Sequence, residues 1–219
     1  MIELDQLKSQ LTKVSEVTAF LAEANRAVDE TDSAWEFATL EIEQAFDQFM
    51  LQLAALDRFA AIKLAAGCAR YAFDDVAANH TAQMEEFGFA FHATDPALDG
   101  EAIEKQLLNV EQWLAKPDPA ALKVVKKGID PSRQMNLWEE DLFPAADIMF
   151  VWILEATQLL SMAVTVKKAG DDDHDSPYEW SYRACVARSA DCAFKALART
   201  DRTPVVDLTR MLKWVGQKW

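Results

Sequence analysis

The feature that most constrains this fold is a long apolar stretch in the second half of the chain. Between residues 145 and 166 the only charged residues are Asp147 and Glu155. A helix of this composition is apolar around most of its circumference, so other elements have to cover it on several sides. The stretch is long enough to cross a bilayer, but Asp147, Glu155 and Gln158 make a membrane position costly. We therefore expect a central apolar helix near 145–169 in a helical bundle.

The rest of the chain has the composition and periodicity of helices. It has 6 Gly and 7 Pro in 219 residues, and 51% of the residues are hydrophobic, which favours helix over strand. Apolar residues recur at steps of three and four, and Ser33-Ala34-Trp35-Glu36 is a capping box. We predict a single all-α domain over 1–219, a multi-helix bundle of about eight helices. The predicted helices lie near 4–21, 33–53, 56–77, 99–115, 119–127, 145–169, 177–199 and from 204 onwards, and the ambiguous segment 84–94 also favours helix.

The charge of the chain limits the classes of partner. The net charge is −14 and the pI is about 4.6, which argues against nucleic acid and against anionic membrane surfaces. A basic protein would instead be attracted to this surface. The start of the chain lacks the pattern of a signal peptide, and the 3 Cys cannot all pair internally. These observations favour a cytoplasmic protein with reduced thiols.

The most acidic short stretch, residues 167–180, follows the apolar segment. It holds four aspartates around His174: Asp171, Asp172, Asp173 and Asp175. Their spacing matches a magnesium-binding DDxxD pattern and the first half of a calcium loop, but Ser176 replaces the loop glycine and Tyr182 replaces the bidentate glutamate. Ser176 and Pro177 fit instead the cap and first position of a helix. We interpret the stretch as a solvated joint that needs no metal or cofactor.

The sequence offers no catalytic constellation. The 3 His lack metal-ligand spacing, and Glu101 and Glu104 begin an ExxE pattern that has no second half. Glu155 stands alone in the apolar helix, where a carboxylate has to be paired or protonated. We predict that Arg183 or Arg188 on the following helix pairs with it, as a structural ion pair.

One aromatic residue stands beside a run of acids in the predicted connection that precedes Pro144. Trp138 is followed by Glu139, Glu140 and Asp141. An aromatic anchor beside negative charge is suited to binding a basic partner. We predict that these four residues, together with the aspartates between 171 and 175, bind a partner protein.

Two segments resemble a known group of proteins. The stretches LDRFAAIKLAAGCARYAFDD (56–75) and EEDLFPAADIMFVWILEATQLLSMAV (139–164) are similar to all-helical, alanine-rich bacterial proteins regarded as immunity proteins of polymorphic toxin systems, and to related uncharacterised helical families. The resemblance implies a non-enzymatic cytoplasmic protein that binds and neutralises a cognate toxin or another basic protein. Two alternatives stay open: a Mg²⁺-dependent all-helical enzyme acting on a diphosphate, and a helical scaffold or ligand-sensing domain with a pocket beside Glu155.

Overall fold

The structure is a computed structural model that describes residues 33–87, 100–129, 145–167, 181–198 and 204–218. These residues form seven helices and no strand, which confirms the all-α class. The helix predicted near 4–21 and residues 88–94 lie outside the described residues, so the total of about eight helices stays a prediction. The helices are α1 (Ser33–Leu56), α2 (Arg58–Phe87), α3 (Gly100–Ala115), α4 (Pro119–Lys127), α5 (Ala145–Thr165), α6 (Tyr182–Ala198) and α7 (Pro204–Lys218).

Aspartate side chains cap the first turns of two helices. Asp118 accepts a hydrogen bond from the backbone N of Ala121 at 2.8 Å, at the start of α4. Asp57 accepts one from Ala60 N at 3.0 Å, at the start of α2. Asp57 is also the single residue between α1 and α2, and its N donates to Leu53 O at 2.8 Å. The backbone ladder therefore runs through the break between these helices.

The helix α6 begins later than the sequence predicted. We expected it to start at Pro177 with Ser176 as its cap, and both residues lie outside the described residues. Ser181 is not helical, and its Oγ accepts a hydrogen bond from Ala184 N at 3.2 Å. Ser181 therefore caps the helix, which begins at Tyr182, because its hydroxyl satisfies an amide of the first turn.

Arg58 closes the C-terminal end of α5. Its guanidinium lies 4.6 Å from the centre of the Tyr182 ring, so it links α2, α5 and α6. A helix end leaves carbonyls without intrahelical donors, and Arg58 supplies a donor to this one. The Nη2 of Arg58 donates to three carbonyl oxygens at 2.7, 3.1 and 2.7 Å, those of Ala163, Val164 and Val166. Because these carbonyls bond to Arg58, the helix ends at Thr165 rather than near residue 169.

The helices α5 and α6 form the most extensive helix contact among the described residues. The helix α5 also contacts α2, α3 and α4, and α6 also contacts α1, α2 and α7. The helices α2 and α6 contact each other and both bury many small side chains, and small side chains let helix axes approach closely. These residues are Ala61, Ala65, Cys68, Ala69 and Ala72 on α2, and Ala187, Ala190, Ala193 and Ala196 on α6.

Buried polar side chains fix the position of α5 against its neighbours. Gln106 of α3 donates its Nε2 to Val125 O at 3.0 Å and to Ser161 Oγ at 2.8 Å, which joins α3, α4 and α5. Ser189 of α6 donates to Ala156 O at 2.7 Å. A buried polar group is costly unless it is hydrogen-bonded. These bonds therefore favour one arrangement of the helices over others that bury the same apolar area.

We expect Arg58→Ala to lower the free energy of unfolding by about 3 kcal/mol, because hydrogen bonds to a charged group contribute roughly 1.5–3 kcal/mol each and do not add fully. Arg58→Lys should recover part of this, since an ammonium lacks the planar fork of donors. Urea denaturation followed by circular dichroism measures both. The exposed Lys123→Ala variant is the control and should change stability by less than about 0.5 kcal/mol. Equal effects of Arg58→Ala and Lys123→Ala would contradict the capping role.

Two glycines should respond in opposite directions to alanine. A Cβ at Gly128 would overlap the side-chain amide of Gln106 and displace it from its bonds, so Gly128→Ala should cost about 2 kcal/mol. A Cβ at Gly216 in α7 meets nothing within 4 Å, so Gly216→Ala should stabilise by about 0.5–1 kcal/mol through helix propensity. Thermal unfolding gives the sign of the stability change in each variant. An unchanged or raised melting temperature for Gly128→Ala would contradict its contact with Gln106, and a lowered one for Gly216→Ala would contradict the open space at that position.

Candidate functional site

All eight residues predicted to bind a partner lie outside the described residues. They are Trp138, Glu139, Glu140 and Asp141 in the first segment, and Asp171, Asp172, Asp173 and Asp175 in the second. Their role stays a prediction. The structure does describe Glu155, on α5, and the two arginines predicted as its alternative partners, Arg183 and Arg188, on α6.

Asp47 on α1 lies within electrostatic range of Arg188, Asp191 and Lys195 on α6, and Glu155 of α5 lies against the same helix. We call this set the charged junction. Lys195 Nζ is 3.0 Å from Asp191 Oδ2 and 5.2 Å from the centre of the Trp152 ring. Burial and then the charge of Asp191 raise the pKa of Asp47, whereas Arg188 and Lys195 lower it. The members of the charged junction are Asp47, Glu155, Arg188, Asp191 and Lys195.

Glu155 is the member of the charged junction that titrates near neutral pH. Burial raises its pKa from 4.5 to about 7, because a low-dielectric surrounding disfavours the ionised form. Its charge also raises the pKa of Cys185 and Cys192 on α6, which places it against that helix. Burial therefore outweighs whatever stabilisation neighbouring cations give the carboxylate. The ion pair with Arg183 or Arg188 stays a prediction.

We expect Glu155 to make folding stability depend on pH. The folded state binds a proton more tightly than the unfolded state, so between about pH 4.5 and 7 stability should fall as pH rises, by about 3 kcal/mol in total. Glu155→Gln should remove this part of the slope and be more stable than the parent protein at pH 8. Urea midpoints at several pH values measure it.

The control for this measurement is Glu101→Gln, an exposed glutamate on α3. It should leave the pH dependence of the parent protein unchanged. Parallel stability curves for the parent and Glu155→Gln would contradict the raised pKa of Glu155.

A second charged group lies between α2 and α3. Arg70 Nε is 2.7 Å from Glu111 Oε1, and its Nη1 is 3.8 Å from Glu104 Oε1 and 3.8 Å from Asp74 Oδ1. The Arg70 side chain is 14% exposed, whereas the side chains of Asp74, Glu104 and Glu111 are 55%, 52% and 37% exposed. We call these three carboxylates the acidic face. All three carboxylates are more exposed than the guanidinium that they share.

The acidic face surrounds an exposed apolar side chain. Leu108 is 43% exposed. It lies four residues after Glu104 and three before Glu111, the spacings at which side chains on one helix are neighbours. The surface of α3 therefore carries a leucine with a carboxylate one turn away on each side.

The thiols are poor nucleophiles in the native protein. Cys68, Cys185 and Cys192 are free and buried. Burial raises the pKa of Cys68 and of Cys185 to about 12, and it raises the pKa of Cys192 well above its usual value. They are protonated at neutral pH, and the thiolate is the reactive form. Within the described ranges, no group of three His, Cys, Asp or Glu side chains could hold a metal ion.

Sequence reasoning missed both charged groups, although each left a partial signal. Arg70 and Asp74, and likewise Asp191 and Lys195, stand four residues apart, which is the spacing of helix surface pairs. The partners from other helices had no such signal. Glu104 did appear in the ExxE pattern, but its closest cation is Arg70, in a different helix.

Comparison with protein-family models, curated proteins and solved structures gave no match. Among the described helices, none is long and apolar enough to cross a membrane.

Proposed function

We propose that this chain is a non-enzymatic protein-binding module, of the immunity-protein kind, that neutralises a cognate toxin by direct binding. The observation that carries the proposal is the acidic face, in which Asp74, Glu104 and Glu111 share one covered arginine and remain exposed. Of these carboxylates Glu111 is hydrogen-bonded to the covered guanidinium at 2.7 Å, so its position is fixed before a partner arrives, which reduces the entropy that binding costs.

The charge of the whole molecule supports the same conclusion. With a net charge of −14, the field around the protein attracts basic proteins and speeds their encounter. Toxins that act on nucleic acids present a basic surface to the phosphates they bind, so an acidic protein can cover that surface. Once the two are in contact, apolar and aromatic side chains at the interface slow dissociation.

The proposal keeps several expectations from the sequence. Trp138, Glu139, Glu140 and Asp141 and the aspartates at 171, 172, 173 and 175 would extend the contact surface beyond the acidic face. The protein would be one cytoplasmic domain of about eight helices around the apolar helix near 145–169. A Mg²⁺-dependent turnover of a diphosphate would contradict a non-enzymatic role.

The test is direct binding and growth rescue with the protein encoded by the adjacent reading frame. Co-expression should restore growth of cells that the neighbour alone inhibits, and calorimetry should show a complex whose affinity falls with added salt. Glu104→Lys should weaken binding by roughly tenfold or more, since it places a like charge opposite a basic partner.

The matched control is Lys213→Glu. Lys213 is exposed on α7, which packs on α1, α2 and α6. This variant makes the protein more acidic at a residue that is not a member of the acidic face, so it should bind as well as the parent. The absence of binding and rescue would refute the proposed function. If the affinities of both variants for the partner change only in line with their net charges, the assignment of binding to the acidic face is refuted.

A further inference from the structure

Four large apolar side chains are exposed among the described residues, those of Leu56, Phe59, Leu108 and Val124. Leu108 differs from the other three in its neighbours. An exposed leucine alone is common on protein surfaces. Leu108 has a carboxylate one helical turn away in each direction, those of Glu104 and Glu111, and both are at least one-third exposed. This alternation of acid, leucine and acid along α3 is suited to a segment of opposite pattern.

We propose that Leu108, between Glu104 and Glu111, is the docking point for a basic amphipathic helix of the partner protein. The inference rests on the proposed function, because it names the part of the partner that the acidic face receives. The carboxylates stand seven residues apart, about 10 Å along the helix axis. A helix with lysine or arginine seven residues apart and a large apolar residue between them matches this spacing.

The available hydrogen-bond acceptors agree with this occupant. Arg70 uses one oxygen of Glu111 at 2.7 Å, and its distance to Glu104 is 3.8 Å, too long for a hydrogen bond. An ionised carboxylate offers about four lone-pair sites. Both glutamates therefore keep acceptor sites for charged donors of a partner, which form shorter and stronger bonds than neutral donors.

Other occupants fit less well. A second copy of this chain in a twofold dimer would place Glu104 and Glu111 opposite the same residues, and like charges repel. Nucleic acids and anionic lipid surfaces present negative phosphates to the same carboxylates. A basic protein segment is the class for which both the charge and the central leucine are favourable.

The experiment uses a fluorescein-labelled synthetic helical peptide of about 18 residues, long enough to be stably helical. It carries leucine at the centre and lysine four residues before and three after. A second peptide has glutamate in place of each lysine. Fluorescence anisotropy at low ionic strength should show the full-length protein binding the lysine peptide with a much higher affinity than the glutamate peptide.

Variants of the protein locate the contact. Leu108→Ala should weaken binding of the lysine peptide by roughly tenfold. Glu104→Gln combined with Glu111→Gln should weaken it further and make it less sensitive to salt. Leu56→Ala is the matched control, since Leu56 is 66% exposed and ends α1, and it should bind as the parent does. Circular dichroism of each variant checks that the fold is retained.

Equal loss of affinity for Leu56→Ala and Leu108→Ala, or equal binding of both peptides, would overturn the docking point. A neighbour-encoded protein that binds the parent and Leu108→Ala equally would overturn it while leaving the proposed function in place. Failure of that protein to bind at all would refute the proposed function instead.

Discussion

The constraint on which the rest of the structure depends is the need to cover α5. Its buried side chains come from nearly every side of the helix and include Trp152, Ile153, Leu154, Ala156 and Leu159. No single neighbour can cover such a helix, so α2, α3, α4 and α6 all pack against it. This requirement places Arg58 at the end of α5 and Gln106 at its side, because carbonyl and hydroxyl groups buried with the helix need donors.

The need to cover α5 also explains the raised pKa of Glu155, the carboxylate that α5 places against α6. The residues on either side of Glu155 have to be buried, and their burial places Glu155 in the contact with α6. Burial then raises the pKa of Glu155 to about 7, near the pH of most cells. In contrast, Glu104 and Glu111 of α3 lie beside Arg70 with side chains that are 52% and 37% exposed. The same residue type therefore destabilises the fold when ionised in one place and forms part of a charged surface in the other.

The sequence predicted the helices well because the signals for helices are local. Apolar spacing located α3, and Pro119 with the lysines before Gly128 located both ends of α4. Helix ends set by distant residues were missed: nothing near Thr165 indicates that Arg58 ends α5 there. The partners of charged residues were harder still, because Arg70 and Glu111 are 41 residues apart and only the packing of α2 on α3 brings them together. Ser181 shows a further limit, since several nearby residues could have capped α6.

The close contact between Gln106 and Gly128 has an evolutionary consequence. The amide of Gln106 occupies the space that any side chain at position 128 would need, so a change at Gly128 displaces Gln106 from its bonds and destabilises the fold. A lineage that replaces Gly128 recovers stability when Gln106 becomes shorter and another donor serves Val125 O and Ser161. In sequences of related chains, positions 106, 128 and 161 should therefore vary as a group. Such covariation would be a signature by which distant relatives of this chain can be recognised.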